Sequence, residues 1–209
     1  MTHAYHDLAF TPRARALQTQ HGSRSTYARA EGGPVTGERI GPDEAAFIAT
    51  RDSMYIASVS ETGWPYVQHR GGPTGFLRVL DERRLGFADF TGNRQYITLA
   101  NTAHDDRVSL FLMDYARRGR LKIMGHMRPL DPADTATLAA LAVPGYRARV
   151  ERGMVIEVAG LDWNCPQHIT PRFTEAEVRE AIQPLHQRIA DLEARLAAAR
   201  APGDSGDGG

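Results

Sequence analysis

The sequence predicts a mainly β protein: an antiparallel barrel of short, hairpin-connected strands with small helices between them, followed by one long helix. Three observations lead there. Between residues 54 and 163, runs rich in β-branched and aromatic residues alternate with short turn segments. Two glycine-bearing segments, Arg70-Gly71-Gly72-Pro73 and Thr91-Gly92-Asn93-Arg94-Gln95, interrupt those runs and are suited to holding an anion and a flat ligand against backbone. Beyond them the apolar period changes, and Val178, Ile182, Leu185, Ile189, Leu192 and Leu196 recur at spacings of four and three.

Residues 1–42 are mixed and glycine-rich, and two readings stand side by side: an arm wrapping the domain, with a short helix over Arg13–Gln20, or partial disorder. Gly41-Pro42-Asp43-Glu44 starts a helix over Asp43–Arg51, with acidic residues in the first turn where they complement the helix dipole. Met54–Ser60 is a strand. After the Glu61-Thr62-Gly63 turn, Trp64–Arg70 returns as its hairpin partner, with Tyr66, Gln68 and Arg70 on one face and Val67 and His69 on the other. Gly75–Leu80 and Arg84–Phe90 form a second hairpin, and Asn93–Asn101 reads as a short helix. Arg107–Met113 is apolar enough to be buried on both faces. Arg120–Pro129 presents Leu121, Ile123 and Gly125 on one face and Arg120, Lys122, Met124 and His126 on the other. Asp131–Ala142 is a helix with Asp131 as its cap and Pro132 at the first position. Gly153–Trp163 is the last strand.

Residues 174–200 form an amphipathic heptad helix opened by a Thr174/Glu177 capping box, with Pro184 kinking it or marking the start of its regular part. Its seam is marginal as a free coiled coil, so it must bury itself on the barrel or, the preferred reading, on a second subunit. Residues 201–209 have almost no apolar content and are expected to be a disordered tail.

Composition narrows the function. The 209 residues carry 25 basic and 25 acidic side chains, which argues against a broad electropositive surface for nucleic acid while leaving room for a local anion pocket. The single cysteine, Cys165, excludes an intrachain disulfide and makes a reducing, cytoplasmic setting the simplest reading. The first residues lack a basic segment followed by an apolar run, and no apolar stretch reaches membrane-spanning length, so neither secretion signal nor membrane span is expected. His168, Cys165 and His126 have no recognised ligand spacing, so no metal site is expected.

The chemistry sits in the glycine segments. Gly92 permits a tight turn, a following helix offers free N–H groups to an anion, Arg94 can grip phosphate oxygens in a bidentate fork, and Asn93 and Gln95 add neutral donors; an ordinary polar turn is the competing reading. PYVQHRGGP, LGFADFTGNRQY, RVSLFLMDY with GRLKIMGHMR, and WNCPQHITPRF, in that order, make residues 43–173 resemble the pyridoxamine 5′-phosphate oxidase-like, FMN-binding split barrels. The resemblance implies a six-stranded antiparallel split β-barrel of FMN-binding type with a C-terminal helix, and a homodimer with flavin at the subunit interface.

It also implies site residues. Asn93, Arg94 and Gln95 fall on the turn that holds the FMN phosphate, although the family often has a basic residue where this chain has Gln95. Gln68, His69, Arg70, Gly71 and Gly72 fall on the strand edge that meets the isoalloxazine and ribityl chain, where Gln68 and Pro73 replace basic residues; a strand-ending bulge is the other reading. Ala88 and Asp89 fall on a backbone contact with the flavin. Arg120 replaces a glutamine at the pyrimidine edge, where a fixed cation stabilises reduced flavin, or else it is a solvated member of the cluster Arg117, Arg118 and Arg120. Trp163 and Arg172 match residues that reach FMN across the dimer interface. Ile169 and Thr170-Pro171 stand where true oxidases bind their substrate, so pyridoxamine 5′-phosphate is not the expected substrate. His69 and His168 are the weak candidates for a catalytic group.

The implied function is FMN-dependent oxidoreduction by hydride transfer at flavin N5, with NAD(P)H as a possible reductant. The alternatives are a non-catalytic flavin- or haem-binding carrier or sensor, with His69, His126 and His168 as candidate axial ligands, or a deazaflavin in place of FMN.

Overall fold

The computed structural model describes residues 3–29 and 35–200. The expected tail at 201–209 and parts of the N-terminal arm lie outside them. The chain divides into two units, Met1–Ile169 and Thr170–Gly209.

The first unit is built on one antiparallel sheet that curls into a half-barrel. Its strands are β1 (Ser53–Val59), β2 (Pro65–Gly71), β3 (Leu77–Val79), β4 (Arg84–Phe90), β5 (Arg107–Asp114), β6 (Gly119–Pro129) and β7 (Val150–Trp163), in the order β2-β1-β5-β6-β7-β4-β3. The sheet is therefore seven-stranded rather than six. At one edge β3, shorter than the Gly75–Leu80 strand expected, pairs with β4 from Leu77 against Phe87 to Val79 against Leu85. Both predicted hairpins form, β1 pairing with β2 from Ser53↔Gly71 to Val59↔Pro65.

The core lies inside the curl. Ile56, Leu85, Phe87, Leu110, Leu112, Leu121, Ile123 and Ile156 are buried there. On β6 the face assigned from sequence holds: Leu121, Ile123 and Gly125 are buried, and Arg120, Lys122, Met124 and His126 are not. On β5 the expectation of burial on both faces fails. Val108, Leu110 and Leu112 are buried, whereas Ser109, Phe111 and Met113 are only half-covered, as in a sheet with one core face. Asp114 ends that strand buried, accepting from Arg51 Nη2 at 2.9 Å and from the Arg117 N–H at 2.9 Å. Burial by itself would raise its carboxyl; the Arg117 N–H, then the Arg51 guanidinium, outweigh it and hold it below the ordinary carboxylate value.

The helices shift from their expected bounds, and the one expected over Asp131–Ala142 is markedly shorter. In the arm, α1 (Ala4–Ala9), α2 (Pro12–Gln20) and α3 (Arg24–Ala28) precede α4 (Pro42–Ala49), where the Gly41 N–H donates to the Glu44 carboxylate at 3.0 Å. After α5 (Ile97–His104), α6 covers only Thr135–Ala140. Its cap is Asp134, which accepts from the Thr137 N–H at 2.9 Å; Asp131 instead accepts from the Ala133 N–H at 2.8 Å and forms the preceding turn.

The second unit is α7 (Glu175–Arg200). The capping box forms, with the Glu177 N–H donating to Thr174 Oγ1 at 3.2 Å and the Thr174 N–H donating to the Glu177 carboxylate at 2.7 Å. The helix is continuous through Pro184, and it buries none of its residues. Among the described residues, no helix is long and apolar enough to cross a membrane.

Candidate functional site

A cavity of about 300 Å³ opens between the β2 edge, the second half of β4, the loop leaving β4 and the segment 146–151. Its geometry follows from the loop. The helix expected from Asn93 begins only at Ile97, because Arg94 (φ 59°) and Tyr96 (φ 54°) are left-handed, and a right-handed helix cannot pass through them. Two non-glycine residues held in this region within three positions mark a stretch whose conformation is fixed by its surroundings. The Asn93 carboxamide accepts from the Gln95 N–H at 3.2 Å, which closes the turn. Arg94 Nε donates to the Tyr96 hydroxyl at 3.1 Å, and that hydroxyl lies 3.5 Å from Glu151. The hydrogen bond that Arg94 donates to Tyr96, then the charge effects of Tyr96 and Glu151, raise Arg94 above its ordinary value, and like any arginine it stands as a permanent cation at the cavity mouth.

The opposite wall is β2, whose alternation turns Tyr66, Gln68 and Arg70 inward. Gln68 Oε1 accepts from the Thr98 hydroxyl at 2.7 Å. Arg70 Nη1 donates to Asp89 Oδ1 at 2.5 Å, while Arg70 Nε is buried without a partner. Asp89 Oδ2 lies 3.8 Å from Arg152, and Arg152 donates to Glu151 at 2.9 Å. This ion pair ties the β2 edge to β4 across the opening of the curl. It also means that both carboxylates at the cavity are engaged by arginines, so neither is a free general base.

The structure thus brings Gln68, His69, Arg70, Gly71, Ala88, Asp89, Asn93, Arg94 and Gln95 to one cavity. Gly72 is next to it but does not line it; a Cβ there would lie 2.8 Å from Phe76, so its glycine is required by packing. His69 reaches the cavity rim while its ring meets Tyr55 edge-on at 5.7 Å.

Other candidates are elsewhere. Arg120 lies on β6 with its Nε buried and unpartnered, and Trp163 ends β7 with its indole N–H donating to Glu44 at 2.6 Å. Neither lines the cavity, nor does His168, which is left-handed at φ 62°. Arg172 belongs to the second unit, and Cys165 is exposed.

Among the cavity residues that escaped the sequence reading are Tyr96, Tyr146 and Glu151. The tyrosine in LGFADFTGNRQY was a legible signal. Tyr146, which meets Phe90 edge-on at 5.0 Å, was not, since a loop some fifty residues downstream has no local mark of where it docks.

Residues 40–158 match the family model described as pyridoxamine 5′-phosphate oxidase. Among solved structures, HupZ of Group A Streptococcus is 14% identical, covers 64% of this chain and 99% of its own, and has a TM-score of 0.49. A Lactobacillus delbrueckii protein named as a candidate pyridoxamine 5′-phosphate oxidase is 16% identical over 60% of this chain and 94% of that one, with a TM-score of 0.46. An FMN-binding protein from Syntrophomonas wolfei is 11% identical over 58% and 83%, with a TM-score of 0.44. No curated protein matches the chain.

Proposed function

This chain belongs to the pyridoxamine 5′-phosphate oxidase family, and from that premise we propose that its cavity holds FMN and that the protein is an FMN-dependent oxidoreductase working as a homodimer in a reducing compartment. The observation that carries the reading is the left-handed loop at Arg94 and Tyr96, which sets a fixed cation and the Asn93 and Gln95 amides opposite the Gln68–Gly71 strand edge.

The residues fit the group. A Cβ at Gly92 would meet nothing within 4 Å, so the loop backbone is open to a phosphate. Arg94 would hold that phosphate as a charge-assisted donor, with Asn93 and Gln95 beside it. The buried, unpartnered Nε of Arg70 and the backbone of Gly71 would face the ring. When bound, FMN supplies hydride transfer at N5. The chain contributes orientation and charge, because Asp89 and Glu151 are committed to arginines.

Arg120, Trp163 and Arg172 would serve the flavin of a second copy, since neither Arg120 nor Trp163 lines the cavity of its own chain. The exposed seam of α7, with Val178, Leu185, Ile189, Leu192 and Leu196 all more than two-fifths exposed, supports such a partner.

The test is the colour of the purified protein and the identity of what heat releases from it. Flavin absorbance, FMN on chromatography and bleaching by NADH or NADPH support the enzyme. Flavin that no reductant turns over leaves a carrier, a Soret band means haem, and a released deazaflavin replaces FMN.

A further inference from the structure

Three ligand-type side chains meet on the outside of the barrel, away from the cavity. His3 caps α1 and His6 lies in its last turn, so both imidazoles project from one side of a single helical turn. Asp162, on β7, faces them. Its Oδ1 lies 3.9 Å from His3 Nε2 and 4.0 Å from His6 Nε2, and the three ligand atoms all lie within 4.8 Å of one another.

The rings are held by carbon neighbours. They stack on each other at 4.3 Å, and His6 stacks in turn on Phe10 at 4.5 Å with Tyr27 edge-on. His3 is fixed through its bridge to Thr36, and a Cβ on Gly37, whose φ is +70°, would strike the His3 ring at 2.6 Å. Gly37 is itself tied beside Asp162, since its carbonyl accepts from the Leu161 N–H at 2.7 Å. Among the described residues neither imidazole makes a hydrogen bond, and His3 Nδ1 is buried without a partner. A half-buried pair of imidazoles that stack face to face beside a carboxylate, with no hydrogen bond to explain them, calls for an explanation, and an ion is one of the few available.

We propose that His3 Nε2, His6 Nε2 and Asp162 Oδ1 form a binding site for a divalent first-row transition ion of the zinc class, completed by water, which pins the N-terminal arm to β7. Two imidazoles and one carboxylate suit Zn²⁺ in ligand type. Metal–ligand bonds of about 2.0–2.2 Å in a tetrahedron place ligand atoms about 3.3–3.5 Å apart, so each imidazole–carboxylate contact must close by about half an ångström, and the two imidazole nitrogens, within 4.8 Å of one another, by at most about 1.5 Å. Lys122 Nζ holds the other oxygen, Asp162 Oδ2, at 2.8 Å and competes with an ion by charge. It already lies 4.5 Å over the Tyr5 ring, which gives the ammonium a second seat when the carboxylate turns to the metal. The expectation of no metal rested on the spacing of His168, Cys165 and His126, and did not reach this site, whose two halves are far apart in the chain.

The test is calorimetric titration of chelator-treated, dialysed full-length protein with Zn²⁺, with thermal melts alongside and Co²⁺ absorbance as a report on the ligands. The expected result is one Zn²⁺ per chain, a rise in melting temperature on adding Zn²⁺, and loss of affinity by about tenfold or more in each of His3→Ala, His6→Ala and Asp162→Asn. Asp162→Asn keeps the shape of the residue and serves if a histidine variant misfolds. Lys122→Met should tighten binding, a change that a purely structural ion pair does not produce. His126→Ala, a surface histidine elsewhere, should leave the titration unchanged. Absence of stoichiometric binding by the parent protein, or equal binding in the three ligand variants, overturns the site. Neither outcome bears on the flavin cavity.

Discussion

Replacing Asp89 by Asn keeps the volume of the side chain and removes the charge that links the two edges of the curl. Asp89 is 10% exposed at its side chain and Arg70 is 23% exposed. At an effective dielectric of about 20 their 2.5 Å contact has a gross attraction of about 6–7 kcal/mol, most of it offset by the desolvation already incurred. Removing one partner of a fully buried pair costs about 3–5 kcal/mol; partial exposure of Arg70 and the surviving amide hydrogen bond reduce this to about 2 kcal/mol. For a chain of this length that is a fall of about 4–8 °C in the melting temperature of the flavin-free protein.

The same substitution leaves Arg70 without a neutralising carboxylate and adds one net positive charge to the cavity, so FMN affinity should rise while stability falls. The assay is a thermal melt and a flavin-fluorescence titration on the parent, Asp89→Asn, Arg70→Gln and the double variant. A coupling of about 1 kcal/mol or more between the two sites is expected in the melts. Additive single effects, or an Asp89→Asn protein as stable as the parent and weaker for FMN, would refute the pairing as the feature that closes the curl and neutralises Arg70.

Arg94→Ala should leave the melting temperature almost unchanged, since the side chain is exposed, and should weaken FMN binding by at least about tenfold in equilibrium dialysis. Undiminished retention places the phosphate elsewhere. Asp114 has a folded-state pKa below its unfolded value near 3.8, so its contribution is fully present above that value and is lost as pH falls through the folded pKa. Melts taken between about pH 5 and pH 2.5 should show a steeper acid loss in the parent than in Asp114→Asn, and parallel curves would count against the pairing with Arg51 and Arg117. Leu192→Asp places a charge in the α7 seam and should convert dimers to monomers by light scattering; persistent dimers would move the interface off this helix.

Much of the barrel was legible because its information is local. The alternation of Leu121, Ile123 and Gly125 set the buried face of β6, the run Arg84–Phe90 gave β4 at its observed bounds, and Thr174 with Glu177 fixed the start of α7. In each case the signal lies within a single element, where side-chain alternation or a cap is set by near neighbours along the chain. The candidate site was half legible in the same way: Arg94 and the Gln68–Gly71 edge lie in glycine-marked segments whose chemistry reads from their order.

Only tertiary structure decided the rest. The turn at Arg94 and Tyr96 is left-handed against their own preference, so α5 starts later than its sequence suggests. Asp134 rather than Asp131 caps α6, a choice between two equally suitable side chains that local pattern does not distinguish. The pairing of Arg70 with Asp89, the docking of Tyr146 and Glu151 on the cavity, and the meeting of His3 and His6 with Asp162 join residues from distant parts of the chain. The sequence states which groups are available; which of them meet depends on how the sheet curls, because burial and charge pairing act through space and leave no periodic mark along the chain.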